Sequence, residues 1–108
     1  MNEIKDLQNE IDRFSKERDW DQFHSPENLA KSISIEAGEL LECFQWNSET
    51  YDREAVKEEL ADVLNYCFQL ATKMNFDVKQ IVEEKMETNG QKYPVNKAKG
   101  KATKYDKL

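Results

Sequence analysis

Apolar residues return along this chain at steps of three and four in four separate segments, the spacing that lines one face of an α-helix. Over residues 2–18 the stripe is Ile4, Leu7, Ile11 and Phe14. It gives way at Arg18-Asp19-Trp20-Asp21-Gln22-Phe23-His24, a non-periodic stretch too aromatic for a plain connection. A second helix is predicted to start at Ser25, a good N-cap, with Pro26 at its first position. It carries Leu29, Ile33, Leu40 and Phe44 and runs to about Trp46. Asn47-Ser48-Glu49-Thr50 reads as a turn. Residues 52–74 form a third helix striped by Val56, Leu60, Val63, Cys67, Leu70 and Met74. Asn75 stops it and Asp77 caps a fourth, whose stripe of Val78, Ile81, Val82 and Met86 fades at Asn89-Gly90. From Tyr93-Pro94 onward the periodicity is gone. Short connections between long helices make antiparallel neighbours. The pattern therefore predicts an all-α fold of the four-helix-bundle kind, with residues 1–92 as the domain and 93–108 as a tail.

Composition supports a folded helical chain. At 108 residues there is room for one modest core. Charged residues reach 35% and mean hydropathy is −0.93, but apolar positions gathered into stripes argue for folding over disorder. No run approaches the roughly 18 apolar residues that span a bilayer. Met1-Asn2-Glu3-Ile4-Lys5-Asp6 lacks the charged-then-apolar order of a signal peptide, so a cytoplasmic protein with no membrane partner is expected. Cys43 and Cys67 have no C-x-x-C spacing and read as buried reduced thiols. The last twenty residues hold six lysines against one aspartate, net +5, so the preceding 88 carry −11 of the overall −6. An acidic body disfavours nucleic acid as a partner and invites divalent metal, while a basic tail suits phosphate.

The acidic residues are not spread at random around the helices. On a wheel of about 100° per residue with Leu29 at zero, Glu36 falls at about −20°, inside the apolar stripe, and Glu39 near −80° on its flank. On the third helix, with Val56 at zero, Glu59, Asp62 and Tyr66 lie between about −60° and −120°, whereas Glu58 points away near 200°. Antiparallel packing of the two helices brings Glu36, Glu39, Glu59 and Asp62 into one cluster. Four carboxylates in a half-buried seam repel unless a cation sits among them. An all-oxygen ligand set selects Mg²⁺ first and Mn²⁺ second, with zinc disfavoured. Acidic pairs three apart also arise by chance and often only solvate a helix face. It is the placement of Glu36 in an apolar row that favours metal.

Other candidates read two ways on residue type alone. His24 is either a packed histidine or a ligand. Trp20 and Trp46, at helix ends, either fill a core or stack on a base. Lys85, Asn89 and Lys92, spaced three and four apart, either converge on phosphate oxygens or form a solvated face.

Together these segments resemble the all-α nucleotide pyrophosphohydrolases of the MazG-like family, most closely its dCTP pyrophosphatase branch. The resemblance runs from Arg18–His24 through Ile35-Glu36-Ala37-Gly38-Glu39-Leu40, Phe44-Gln45-Trp46 and Glu58-Glu59-Leu60-Ala61-Asp62-Val63 to Lys85-Met86, Lys92-Tyr93-Pro94 and Lys104-Tyr105. The family's E-x-x-E followed by E-x-x-D maps onto Glu36, Glu39, Glu59 and Asp62, the four already singled out by the wheel. The resemblance further implies that Trp20, His24, Trp46 and Tyr66 line a nucleotide pocket and that Lys85, Asn89, Lys92 and Tyr93 reach the phosphates, from the same or a neighbouring subunit. Lys92 stands where an arginine is common, so a point charge replaces a fork. It implies a bundle completed by homo-oligomerisation, as a dimer or dimer of dimers, consistent with Ile35 and Leu41 lying off the main stripe.

The reaction so implied is metal-dependent hydrolysis of a nucleoside triphosphate to the monophosphate and pyrophosphate, with dCTP or a related deoxynucleotide as substrate and Glu39 or Glu36 orienting the water. Two other readings stand beside it: the same fold acting on another nucleotide such as dUTP or phosphoribosyl-ATP, and a non-catalytic helical interaction module. A ferritin-like dimetal protein is disfavoured because the chain has no E-x-x-H.

Overall fold

The computed structural model describes residues 2–46 and 49–108, and every regular element in them is helical. Four long helices follow one another: α1 (Glu3–Glu17), α2 (Pro26–Glu42), α3 (Arg53–Lys73) and α4 (Val78–Lys92). A short α5 (Val95–Ala98) and single 3₁₀ turns at Asp21–Phe23 and Tyr105–Lys107 complete the set. The chain divides into two compact units, Met1–Val78 and Lys79–Leu108.

Side-chain caps set the helix starts. Asn2 accepts from the Ile4 and Lys5 amides, Ser25 from Asn28, and Asp52 from Glu54 and Ala55. Each satisfies donors that the first helical turn leaves free. α1 and α3 end alike. Asp19 (φ 56) and Asn75 (φ 60) take the left-handed conformation. The next amides, of Trp20 and Phe76, reach back to the carbonyls of Ser15 and Ala71 at 3.0 and 2.8 Å. This is the Schellman closure, for which Asn and Asp substitute when glycine is absent. It fixes where Trp20 leaves the helix.

α2 is shorter than its sequence pattern suggests, ending at Glu42 and not near Trp46. The amides of Cys43, Phe44 and Gln45 bond to carbonyls three residues back, tightening the last turn until Phe44 swings out to meet the Tyr51 ring at 4.9 Å. No glycine or proline marks that change. Of the expected turn, Asn47 and Ser48 lie outside the described residues.

In the first unit α3 packs against both α1 and α2. Its sealed core is thin: Leu29 and Ala71 are the buried apolar residues, and Gln8 and Ser15 are buried beside them. Gln8 is fully satisfied, donating to Thr72 Oγ1 (3.2 Å) and the Phe76 carbonyl (3.0 Å) and accepting from the Val78 amide (2.9 Å). The α1 stripe stays a third to a half open at Ile4, Leu7 and Phe14, and Leu7 and Phe14 border a cavity more than a core. Cys43 and Cys67 are free and half-buried, less enclosed than expected.

In the second unit the segment after α4 is structured. Tyr93 meets Tyr105 edge-on at 6.0 Å and the Lys92 ammonium lies 4.8 Å from the centre of the Tyr105 ring. No helix of the described residues is long and apolar enough to cross a membrane.

Candidate metal centre and its adjoining cavity

Glu36 and Glu39 stand one turn apart on α2, and Glu59 and Asp62 one turn apart on α3, so the packing of these two helices gathers four carboxylates. Glu36, Glu59 and Asp62 each bring one oxygen within 4.8 Å of the others. The Oε2 atoms of Glu36 and Glu59 are buried with no hydrogen-bond partner among the described residues. A buried acceptor left unmatched costs roughly 1–3 kcal/mol, and more when charged. The cluster answers by holding protons. A hydrogen bond with Glu39, followed by burial and the surrounding carboxylates, pushes Glu36 up to about 7. Glu59 is raised by burial first and then by Glu39 and Asp62.

A divalent cation removes the same deficit without protons. Two orphaned oxygens converging with a third, more exposed carboxylate fit a hard ion, and the absence of sulfur or nitrogen from the set disfavours soft ones. Glu39 lies outside the threefold set but beside it, close enough for its carboxylate to push up both Glu36 and Glu59.

Asp62 also lines a cavity of about 480 Å³ between α1 and α3, the size that holds a small organic ligand. Phe14, Trp20, His24 and Tyr66 form its aromatic wall, and Asn65 and Gln69 add amides. His24 and Tyr66 meet edge-on at 6.5 Å, as do Phe14 and Trp20 at 6.0 Å. The segment carrying Trp20 and His24 is held from three sides: the α1 closure, the Asp21–Lys73 ion pair at 2.8 Å, and Asn28 Nδ2 donating to the Phe23 carbonyl at 3.0 Å. The Lys73 hydrogen bond keeps the Asp21 carboxyl below its usual range.

Of the aromatic candidates, Trp20, His24 and Tyr66 are thus brought together, while Trp46 is 89% exposed and outside this cavity. Lys85, Asn89, Lys92 and Tyr93 belong to the second unit. Sequence reasoning missed Ser15, Asp21, Asn65, Gln69 and Lys73. Asn65 and Gln69 were within reach, since they continue the α3 flank of Asp62 and Tyr66 at helical spacing. Asp21 and Lys73, 52 residues apart, leave no local signal.

The MazG-like family model matches residues 31–108. Mouse dCTP pyrophosphatase 1 is 43% identical over 97% of this chain and 67% of its own length. The human dCTP pyrophosphatase 1 is 37% identical over the same shares. The crystal structure of a pyrophosphatase from Archaeoglobus fulgidus superposes with a TM-score of 0.74 at 37% identity, covering 87% of this chain and 94% of that one.

Proposed function

The chain belongs to the MazG-like family and is a nucleoside triphosphate pyrophosphohydrolase, and we propose that it cleaves dCTP to dCMP and pyrophosphate with Mg²⁺ at the acidic cluster. Mn²⁺ is the second choice of ion. One observation carries this reading: the orphaned carboxylate oxygens of Glu36 and Glu59 adjoin Asp62, and Asp62 opens onto a cavity of nucleoside size. Triphosphate and base then lie on the two sides of one residue.

Glu36, Glu59 and Asp62, with Glu39 beside them, hold the ion. When bound, the ion supplies positive charge to the triphosphate and acidifies water. Glu39, beside Glu36 yet outside the threefold set, is the residue proposed to orient the attacking water and take its proton, with Glu36 as the alternative. The water oxygen bonds to phosphorus as the anhydride bond between the α- and β-phosphates breaks, and pyrophosphate carries away the bond's electrons. Trp20 offers its face to the base, and His24 and Tyr66 close the pocket around base and sugar. Trp46 is available to nucleotide on a neighbouring subunit. Lys85, Asn89, Lys92 and Tyr93 are proposed as triphosphate contacts on their residue chemistry alone.

A homo-oligomer, a dimer or dimer of dimers, belongs to the same reading. The first unit seals few apolar side chains while Ile35 and Leu41 remain 62% and 71% exposed. A second groove of about 290 Å³ is lined by Leu7, Ile11, Ala61, Leu64 and Phe68. Such surface is what an obligate interface buries. The setting is cytoplasmic house-cleaning of the nucleotide pool, with neither nucleic acid nor membrane as a partner. The deciding experiment follows pyrophosphate release from ribo- and deoxynucleoside triphosphates with Mg²⁺ or EDTA, for wild type and Glu36→Gln. Metal-dependent cleavage of dCTP above the others, lost in the variant, is expected. A different preferred nucleotide shifts the substrate, and silence across the panel sinks the assignment.

A further inference from the structure

A second, smaller space lies behind the aromatic wall. It measures about 20 Å³ and is polar on every side but that of Leu29. One water needs roughly 10–15 Å³ and two to four polar partners, and this pocket offers both. We infer that it holds one ordered water, which accepts from a ring N–H of His24 and donates to the carboxylates of Asp12 and Asp21, so that the bare nitrogen of His24 is turned to the larger cavity. Asp12 and Asp21 are then positioning residues, acting on a ligand only through the imidazole.

His24 is the partition, since it lines both spaces. Tyr66 meets its ring edge-on at 6.5 Å and lines the larger space alone of the two. Asp21 is brought beside His24 by the 3₁₀ turn, in which side chains three residues apart eclipse, and the His24 amide bonds to the Asp21 carbonyl at 3.0 Å. Asp12 comes from α1, with its Oδ2 paired to Lys16 at 2.9 Å. Asp21 gives Oδ1 to Lys73 at 2.8 Å. Each carboxylate keeps a second oxygen to accept from the water, and the Lys73 ammonium has further N–H groups for the water's other lone pair. The Lys73 hydrogen bond first, then the charges of Lys16 and His24, hold Asp21 below the ordinary carboxyl range, so it accepts and does not donate.

A neutral imidazole donates at one nitrogen and accepts at the other, and the partner it meets decides which. With two carboxylates behind it, the ring keeps its proton on their side. The larger cavity thereby gains an acceptor for a hydroxyl or amino hydrogen of the ligand. That last step alone rests on the proposed seat of the nucleotide.

The test begins without nucleotide. A high-resolution crystal structure of the full chain should show one water within hydrogen-bond reach of a His24 nitrogen and of Asp12 or Asp21. His24 is the single histidine of the chain, so long-range ¹H–¹⁵N correlation above neutral pH reads its two ring nitrogens without ambiguity, one protonated and one bare. Asp12→Leu removes an acceptor and fills the pocket; it should expel the water and mix the tautomers. Asp12→Asn keeps an acceptor oxygen and should preserve both. With nucleotide, Asp12→Leu should weaken dCMP in calorimetry and raise KM for dCTP roughly fivefold, the loss of about one hydrogen bond, with kcat within about twofold. On a His24→Ala background the same substitution should change neither, whereas general loosening of α1 weakens binding in both backgrounds. A pocket without ordered water, a direct His24–Asp21 hydrogen bond, a ring protonated at both nitrogens, a tautomer unmoved by Asp12→Leu, or an Asp12→Leu effect that persists without His24 overturns the inference. The water and the tautomer are read without turnover, so their failure is told apart from failure of the proposed reaction.

Discussion

The two flanks of α3 are built on opposite principles. Toward α2 it presents Glu59 and Asp62 to Glu36, and that seam is left unfinished: oxygens without partners and carboxyls driven to keep their protons. Toward α1 and the segment that follows it, α3 presents Tyr66, Gln69 and Lys73, each engaged by a ring, a hydroxyl or a carboxylate. The first flank stores an electrostatic deficit that a cation discharges. The second is preorganised, so ligand finds its shape already made. A substitution should therefore separate stability from function on the first flank and reduce both together on the second.

The largest separation is expected from Glu36→Gln. Pyrophosphate release should fall on the order of 10²–10³-fold, as when one charge-stabilising group is removed from an active site. The metal-free protein should melt higher than wild type, because a repelled buried carboxylate has gone. Mg²⁺ should raise its Tm far less than that of wild type. A pyrophosphate-release assay checks the first effect, and scanning calorimetry with and without Mg²⁺ checks the other two. A variant that loses stability in EDTA contradicts an unfinished seam.

Trp20→Ala probes the other flank. Base stacking is worth about 1–3 kcal/mol, so KM should rise roughly ten- to a hundredfold with kcat less affected. Tm should fall too, since the ring also packs on Phe14. Unchanged KM in steady-state kinetics removes Trp20 from the base site.

The flanks also differ in how visible they were in sequence. The acidic seam was legible because Glu36 breaks an apolar row, and a broken pattern within one helix needs no tertiary knowledge. Helix order, the Ser25 cap and the stop at Asn75 were legible for the same reason, being local. The end of α2 was not, since Phe44 leaves the helix for Tyr51, a partner beyond the turn. The α1 stripe was legible as one apolar face, but amphipathicity does not say what that face meets, and Leu7, Ile11 and Phe14 border a cavity. Ser15 lies four residues after Ile11 on the same face, but its bond to a residue 54 positions away left no local signal.

pH sharpens the comparison at the seam alone. The folded pKa of Glu36 stands at about 7 against an ordinary 4.5, so over that window the folded chain keeps a proton that the unfolded chain gives up. Its contribution to stability is fully present below the ordinary value and is lost as pH rises through about 7. Mg²⁺ competes with that proton, so the metal-induced rise in Tm should be larger at pH 8 than at pH 6 and accompanied by proton uptake into buffer below neutrality. Glu36→Gln should flatten the trend. A metal effect that does not vary with pH rules out proton–metal exchange at Glu36.

The smallest effect is expected at the anchor behind the cavity. Lys73 Nζ meets Asp21 at 2.8 Å, with both side chains partly exposed, and ion pairs of that kind contribute about 0–1 kcal/mol to stability. Lys73→Met should therefore lower Tm only slightly. Asp21 begins the turn that carries His24 and directly follows Trp20, so releasing it frees the aromatic wall to wander. KM for dCTP should rise about threefold with kcat unchanged, a modest loss of the preorganisation that spares binding entropy. Fluorescence quenching of Trp20, measured on a Trp46→Phe background so that one indole reports, should increase in the Lys73→Met protein. If KM and quenching stay fixed while Tm falls, the ion pair only staples the turn to α3, and the preorganisation of this flank rests on the α1 closure and the Ser15–Gln69 bond.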